Sequence, residues 1–383
     1  MTKEFHDIFK SDADLLAYGP GRLEILGNHT DYNEGFVLST AVDKKTTISF
    51  KKRSDKIAKV YSPFFAEQGI REIDLNDIDT PLAGKDWLNY VRGVLNEFKK
   101  RGLTLGGFEA YIGSDVPLSA GMSSSASLEI ALIEGLCALF NNELDNQQKA
   151  VIGQACENKY IGANTGLMDQ LTSLSGKANQ LVQSEYRYLT VAHLAFPQNL
   201  SWIVVNSGVK HDLSEEYNER RESCENAAAK IKQKLTKIKT LRDLSPEVLE
   251  TNKDLLSEIE LMRARHVCAE NARVLEAQKL LAQGSFVEFG QLLFDSHASS
   301  IKNFENSCSE LDVLVDFAKQ SPLCLGARLS GGGFGGISIH LVENKNREEY
   351  KNEVTKFMGL TEDDEPMIWD CIVADGSKVE WNK

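Results

Sequence analysis

Apolar residues recur along the chain with two spacings, and each predicts its own kind of element. Trp87, Leu88, Val91, Leu95 and Phe98 fall three and four residues apart, the period of a helix with one buried face, and Gly102 ends the run. Leu128, Ile130, Ala131, Leu132, Leu136, Leu139 and Phe140 predict a second helix. Others are predicted over 147–160, 213–235, 261–281, 286–301, 311–318 and near 346–357. Short apolar or β-branched runs predict a strand at 15–18 that ends in a turn at Gly19-Pro20-Gly21, and one or two strands over 36–50. Further strands are predicted at 108–112, 201–206, 326–330, 337–342 and near 368–374, with hairpins and loop over 51–84. Strands and helices do not alternate strictly, which predicts an α+β fold and not a doubly wound sheet. A chain of 383 residues exceeds one small core, so two domains are expected, 1–180 and 181–383.

Charge and cysteines narrow the partners. The net charge of −13 repels phosphate backbones and argues against a nucleic-acid partner. The seven cysteines are odd in number, scattered, and without a Cys-x-x-Cys pair, so they read as reduced thiols in a cytoplasmic protein. The polar, acidic N-terminus is not read as a signal peptide, and no apolar run approaches the ~20 residues of a membrane span. Nothing points to an obligate protein partner.

Candidate chemistry begins at Pro117–Ser127, where glycine and a run of serines precede the helix beginning near Leu128. Unpaired amides at a helix start, with the helix dipole behind them, can hold a phosphate. A Ser-rich cap on an ordinary core helix has the same composition. The run Gly331–Gly336 formally matches Gly-x-Gly-x-x-Gly, but it opens a strand where a dinucleotide fold needs a helix, so that reading is rejected. Close backbone approach and a tight hairpin both remain open for it. No Gly-x-x-x-x-Gly-Lys-[Ser/Thr] occurs, and the seven histidines have no metal-binding spacing. Asn28-His29-Thr30 fits a glycosylation sequon but lacks a secretory signal.

Three segments together carry a family resemblance. Gly21-Arg22 through Gly27-Asn28-His29-Thr30-Asp31-Tyr32, then Pro117–Ser127, then Leu329-Ser330-Gly331-Gly332-Gly333-Phe334-Gly335-Gly336 resemble the three motifs of the GHMP small-molecule kinases. With Asn33–Leu38 added, the first is similar to the galactokinase signature, and matches continue in order through Gly166–Gln170, Asn206–His211, Ser214–Arg221 and Arg265–Val267. The resemblance implies a two-domain GHMP fold: an N-terminal domain like domain 2 of ribosomal protein S5, a ferredoxin-like C-terminal α+β domain, and the active site in the cleft between them. It implies transfer of the γ-phosphoryl of ATP to the anomeric C1 hydroxyl of a hexose, galactose first. Ser119, Ala120, Gly121, Met122, Ser123, Ser124 and Ser125 would hold the ATP phosphates. Ser125 or its neighbour Ser124, with Glu157, would hold Mg²⁺. Asp169 would act as base or positioner, with Arg22 beside it. Asn28, His29, Asp31, Gly166, Asp169 and Tyr217 would line the sugar pocket. A carboxylate is a weak base at neutral pH, but it can orient a hydroxyl and take its proton late in a loose transition state.

The first motif departs from the family at two places. Galactokinases usually carry Asn where this chain has Glu24, and Glu where it has Asn28. Loss of a charge at Asn28 lowers the penalty for an anionic substrate, which raises galacturonate as an alternative to galactose. A non-catalytic sugar sensor of the same fold is a second alternative, but the intact serines 123–125, Arg22, Glu157 and Asp169 favour an enzyme.

Overall fold

A computed structural model describes residues 1–117, 121–163, 165–209, 214–361, 364 and 367–382. Its strands are β1 Leu15–Leu26, β2 Phe36–Lys52, β3 Ile57–Tyr61, β4 Arg71–Asp74, β5 Phe108–Ser114, β6 Gln180–Glu185, β7 Thr190–Ala195, β8 Leu200–Asn206, β9 Cys324–Ser330, β10 Ile337–Glu343, β11 Ile368–Cys371 and β12 Lys378–Trp381. Its α-helices are α1 Thr2–Phe9, α2 Leu88–Lys100, α3 Ser124–Phe140, α4 Asn146–Ala155, α5 Met168–Ser175, α6 Ser214–Lys234, α7 Pro246–Thr251, α8 Glu258–Gln283, α9 Phe286–Ser299, α10 Ser309–Gln320 and α11 Arg347–Met358.

The strands form two sheets, as an α+β chain requires. The larger has the order β12-β1-β2-β5-β3-β4, with the β6–β7 hairpin joined to the first part of β2. β2 is long enough to pair with β6 through residues 36–39 and with β5 through 46–52. The smaller sheet is antiparallel, in the order β11-β8-β10-β9. The expected division at residue 180 falls at the start of β6. Because β6 and β7 belong to the larger sheet, we propose that the first unit runs through this hairpin and takes back β12.

Two apolar clusters fix the cleft. Phe50, Leu95, Phe98, Phe108, Ile130 and Leu136 bury the larger sheet against α2 and α3. Leu23 and Ile25 of β1 pack with Trp202 of β8, Phe289 of α9 and Ile339 of β10, so a second cluster spans both sheets. Burying apolar surface across this junction ties the two units together.

The structure corrects two expectations. Gly19-Pro20-Gly21 is no turn: β1 runs through it, with irregular register between Pro20 and Arg22 and again between Glu24 and Leu26. A Cβ on Gly19 would lie 2.2 Å from the Ser127 carbonyl oxygen, and one on Gly21 would lie 2.9 Å from that of Met122. These glycines let the serine turn and α3 sit directly on the strand, which is the other use of glycine inside a strand. The helix expected over 147–160 leaves α geometry at Ala155 and continues as a π turn, Cys156–Ile161. A single extra residue in such a turn re-aims the side chains after it, and these turns are frequent at functional sites.

Candidate active site

Each element delivers one piece of the site. β1 supplies Arg22, the turn after it supplies Asn28, His29 and Asp31, and α5 supplies Asp169 from its first turn. The π turn supplies Glu157, and the start of α3 supplies Ser123–Ser125. These side chains meet in one cavity of ≈ 510 Å³, lined also by Gly166, Tyr217 and Gly331–Gly333.

Arg22 and Asp169 form its centre. Nε of Arg22 donates to Oδ1 of Asp169 at 2.7 Å and Nη2 to Oδ2 at 2.8 Å, while Nη1 donates to the Gly121 carbonyl at 2.7 Å. A two-pronged pair of this kind fixes direction as well as charge. The Ser123 hydroxyl also contacts Oδ2 of Asp169, so the serine turn and the carboxylate share a hydrogen-bond network. Ser123 has φ 56° at the cap of α3, a left-handed conformation that is costly for a residue with a Cβ.

The turn's other serine faces a second carboxylate. Ser125 Oγ donates to Oε1 of Glu157 at 2.7 Å, and Thr165 Oγ1 donates to Oε2 at 2.5 Å. Burial, with the Asp169 charge adding, raises the pKa of Glu157. A cation here would reverse that cost, and an all-oxygen donor pair fits Mg²⁺, which takes few protein ligands and fills its shell from water and phosphate. Gly121 and Ser123–Ser125 line the cavity. The Met122 side chain is buried in the core spanning both sheets, and its carbonyl accepts from the Arg22 amide at 3.1 Å. Ser119 and Ala120, also expected to hold phosphate, lie outside the described residues, as do Lys210 and His211.

The sugar-pocket candidates line the same cavity. His29 has φ 60° and is spent within the protein. Its Nε2–H donates to the Gly332 carbonyl at 3.1 Å, so Nδ1 accepts from the Tyr32 hydroxyl at 2.9 Å. The ring packs between Tyr217 and Phe304, and burial drops its pKa to about 3, so it is neutral. Burial, with the Asp169 charge adding, lifts Asp31 to about 6. A Cβ on Gly166 would stand 1.5 Å from Oδ2 of Asp31. Gly166→Ala must therefore displace the Asp31 carboxylate, and it is expected to raise the KM for sugar about tenfold or more with the KM for ATP little changed. Initial-rate kinetics in both substrates check this.

Several residues that support the site carry no local sequence signal. Glu270 of α8 accepts from the Gly27 and Asn28 amides through Oε2, at 2.8 and 2.9 Å, and from Arg273 Nε through Oε1 at 2.7 Å. Burial pushes this carboxylate up, but Arg273, Arg328 and the Asn28 amide hold it well below the ordinary range. The available clue was a stripe of polar residues, Arg263, His266 and Glu270, at spacings where a surface helix carries apolar ones. Thr165, which orients Glu157, was readable only as part of a turn.

Comparisons with known proteins extend along the chain. The galactokinase galactose-binding signature covers residues 3–52, the GHMP kinases N-terminal domain 89–177 and the GHMP kinases C-terminal domain 277–359. A galactokinase of Glaesserella parasuis is 38% identical over 384 residues, covering 98% of this chain and 97% of its own. The chain belongs to the galactokinase family of GHMP kinases. Galactokinase of Chloroflexus aurantiacus is 39% identical, covering 88% of this chain and 86% of its own. The crystal structure of Lactococcus lactis galactokinase complexed with galactose superposes with a TM-score of 0.92 at 32% identity, over 98% of both chains. Methanococcus jannaschii mevalonate kinase, at TM-score 0.65 and 21% identity, shares the GHMP fold. The two-domain α+β architecture expected from the galactokinase-like motifs is thus the observed one.

Proposed function

We propose that this protein transfers the γ-phosphoryl group of ATP to the anomeric C1 hydroxyl of galactose, giving galactose 1-phosphate. The observation that carries the reading is the two-pronged Arg22–Asp169 pair, joined through Ser123 to the serine turn and open to the cavity that also holds Asp31 and Tyr217. Its relatives named galactokinase support the choice of sugar.

In this reading the amides at the start of α3 hold the anionic tail of ATP, where helix dipole and unpaired N–H groups act together. Asp169 accepts the C1–OH hydrogen bond and takes the proton as the oxygen attacks. Arg22 fixes the plane of that carboxylate and offsets charge on the transferring group. Ser125 and Glu157 are the residues that would hold Mg²⁺, which neutralises charge on the β- and γ-phosphates when bound. Asp31 accepts a pair of ring hydroxyls, and the Tyr217 ring covers the sugar. The seven cysteines are all unpaired, which supports the cytoplasm as its location.

The test is ADP release measured across galactose, N-acetylgalactosamine, galacturonate, glucose and arabinose. The expected result is turnover on galactose with the highest kcat/KM of the set and ¹H or ³¹P signals of an anomeric phosphate. Absence of sugar-dependent ADP release would remove the kinase reading.

A further inference from the structure

Glu24 follows Arg22 by two residues on β1, and no role above uses it. It is buried, with 2% of its surface exposed, and lines the same cavity as Asn28, His29 and Asp31. Both its carboxylate oxygens accept from Asn28 Nδ2, at 3.1 Å each, and Oε2 also accepts from the Gly331 amide at 3.0 Å. Arg328 Nη1 is 3.8 Å from Oε1, but its donor is directed to the Ile25 carbonyl at 3.1 Å.

Asn28 has nothing left to offer as a donor. One Nδ2 hydrogen is shared by the two Glu24 oxygens and the other goes to the Gly331 carbonyl at 2.8 Å. Its Oδ1 accepts from Asn306 Nδ2 at 2.9 Å, which fixes the amide against turning over. The carboxylate at this wall is therefore Glu24, and Asn28 holds it in place. The galacturonate alternative rests on a carboxylate missing at Asn28; a carboxylate is present at the same wall, displaced onto β1.

We propose that Glu24 is a specificity-determining residue of the sugar pocket, that Asn28 and the Gly331 amide position its carboxylate, and that it excludes anionic sugars. The inference rests on the sugar-kinase reading. A carboxylate whose bonds come from Asn28 and one amide keeps lone pairs free for a substrate hydroxyl. A second carboxylate placed against it meets like charge in a poorly hydrated wall, with Asp31 adding to the repulsion, and like-charge contacts discriminate strongly. Glu24 also joins strand β1 to Ser330 and the glycine run, so the specificity wall draws on both units of the fold.

The experiment compares kcat/KM for galactose and galacturonate in the wild type, E24Q, E24N, N28E and the double variant E24N/N28E. Burial lifts Glu24 to about 7. The assays are therefore run near pH ~8.5, where the group is ionised and galacturonate is unchanged. E24Q keeps the shape and removes the charge. Its galacturonate-to-galactose ratio is expected to rise about tenfold or more over the wild type, a change that a merely structural role for Glu24 does not produce. E24N and N28E each break the pair and lose galactose kcat/KM. The double variant rebuilds a Glu–Asn pair with its members exchanged and is expected to recover at least about tenfold over the poorer single. Thermal melts show which variants fold. A wild-type-like ratio in a folded E24Q overturns the proposal. If E24Q does not fold, a double variant no better than the poorer single overturns it. Wild-type enzyme that turns over no sugar overturns the kinase reading and this inference with it, whereas turnover on galactose with an unmoved ratio overturns this inference alone.

Discussion

Asp169→Asn is expected to give a folded protein whose sugar-dependent ADP release is lower by about 10²–10⁴-fold, the range that a positioned proton acceptor contributes. The replacement keeps the size of the side chain but exchanges an acceptor oxygen for an NH₂ group. Arg22 donates to both oxygens of the native carboxylate, so that group would face an Arg22 N–H whichever way the amide turns. Two donors would then meet, and the C1 hydroxyl would lose the group that takes its proton. Because Ser123–Ser125 and Glu157 are untouched, ATP binding is expected to survive, so kcat falls and the Kd for nucleotide does not rise in step. Steady-state kinetics with a nucleotide-binding titration check both halves. A variant turning over near the wild-type rate would remove Asp169 from the mechanism.

Gly19→Ala is expected to destabilise the fold, although residue 19 touches no substrate candidate. The added Cβ would come within 2.2 Å of the Ser127 carbonyl oxygen and 2.8 Å of the Ala131 amide nitrogen, both backbone atoms of α3. A helix backbone cannot give way as a side-chain tip can, so the strand and the helix must separate. Overpacking of this kind costs about 1–3 kcal/mol or more. At roughly 2–4 °C per kcal/mol for domains of 150–250 residues, the melting temperature is expected to fall by several degrees. The serine turn would move with α3, so activity should drop further than the loss of folded protein accounts for. A thermal melt and a specific activity corrected for folded fraction separate the two. An unchanged melting temperature would show that β1 and α3 are not held at this spacing.

These two residues also show what could be read from the chain alone. Asp169 was legible because its neighbours, Gly166-Leu167-Met168-Asp169-Gln170, form a contiguous motif. Helices α2, α3, α8 and α9 were legible because their period is local. In sequence Gly19 reads as punctuation, since glycine and proline together mark turns far more often than they mark a strand pressed against a helix. Nothing local distinguishes the two, and only the position of Ser127, 108 residues away, decides it. The β6–β7 hairpin and β12 were missed for a related reason: their partners are β2 and β1, far off in sequence. α5, whose first turn carries Asp169, is short and rich in Ser and Thr, so its apolar period is weak. In sequence Glu24 is only a departure from the family pattern and Asn28 only a lost charge. Their mutual hydrogen bonds, with Gly331 and Asn306 completing the set, lie beyond what spacing can express.

β12 pairs with β1 through Leu15–Tyr18, one flank of the strand that bears Arg22 and Glu24. During synthesis that flank stays uncovered until residues 378–381 have left the ribosome, long after the rest of the larger sheet has been made. An uncovered strand edge recruits other chains. Nascent or truncated forms ending before residue 378 would therefore carry an adhesive border beside the catalytic strand, and their yield should depend on protein concentration where that of the full chain does not.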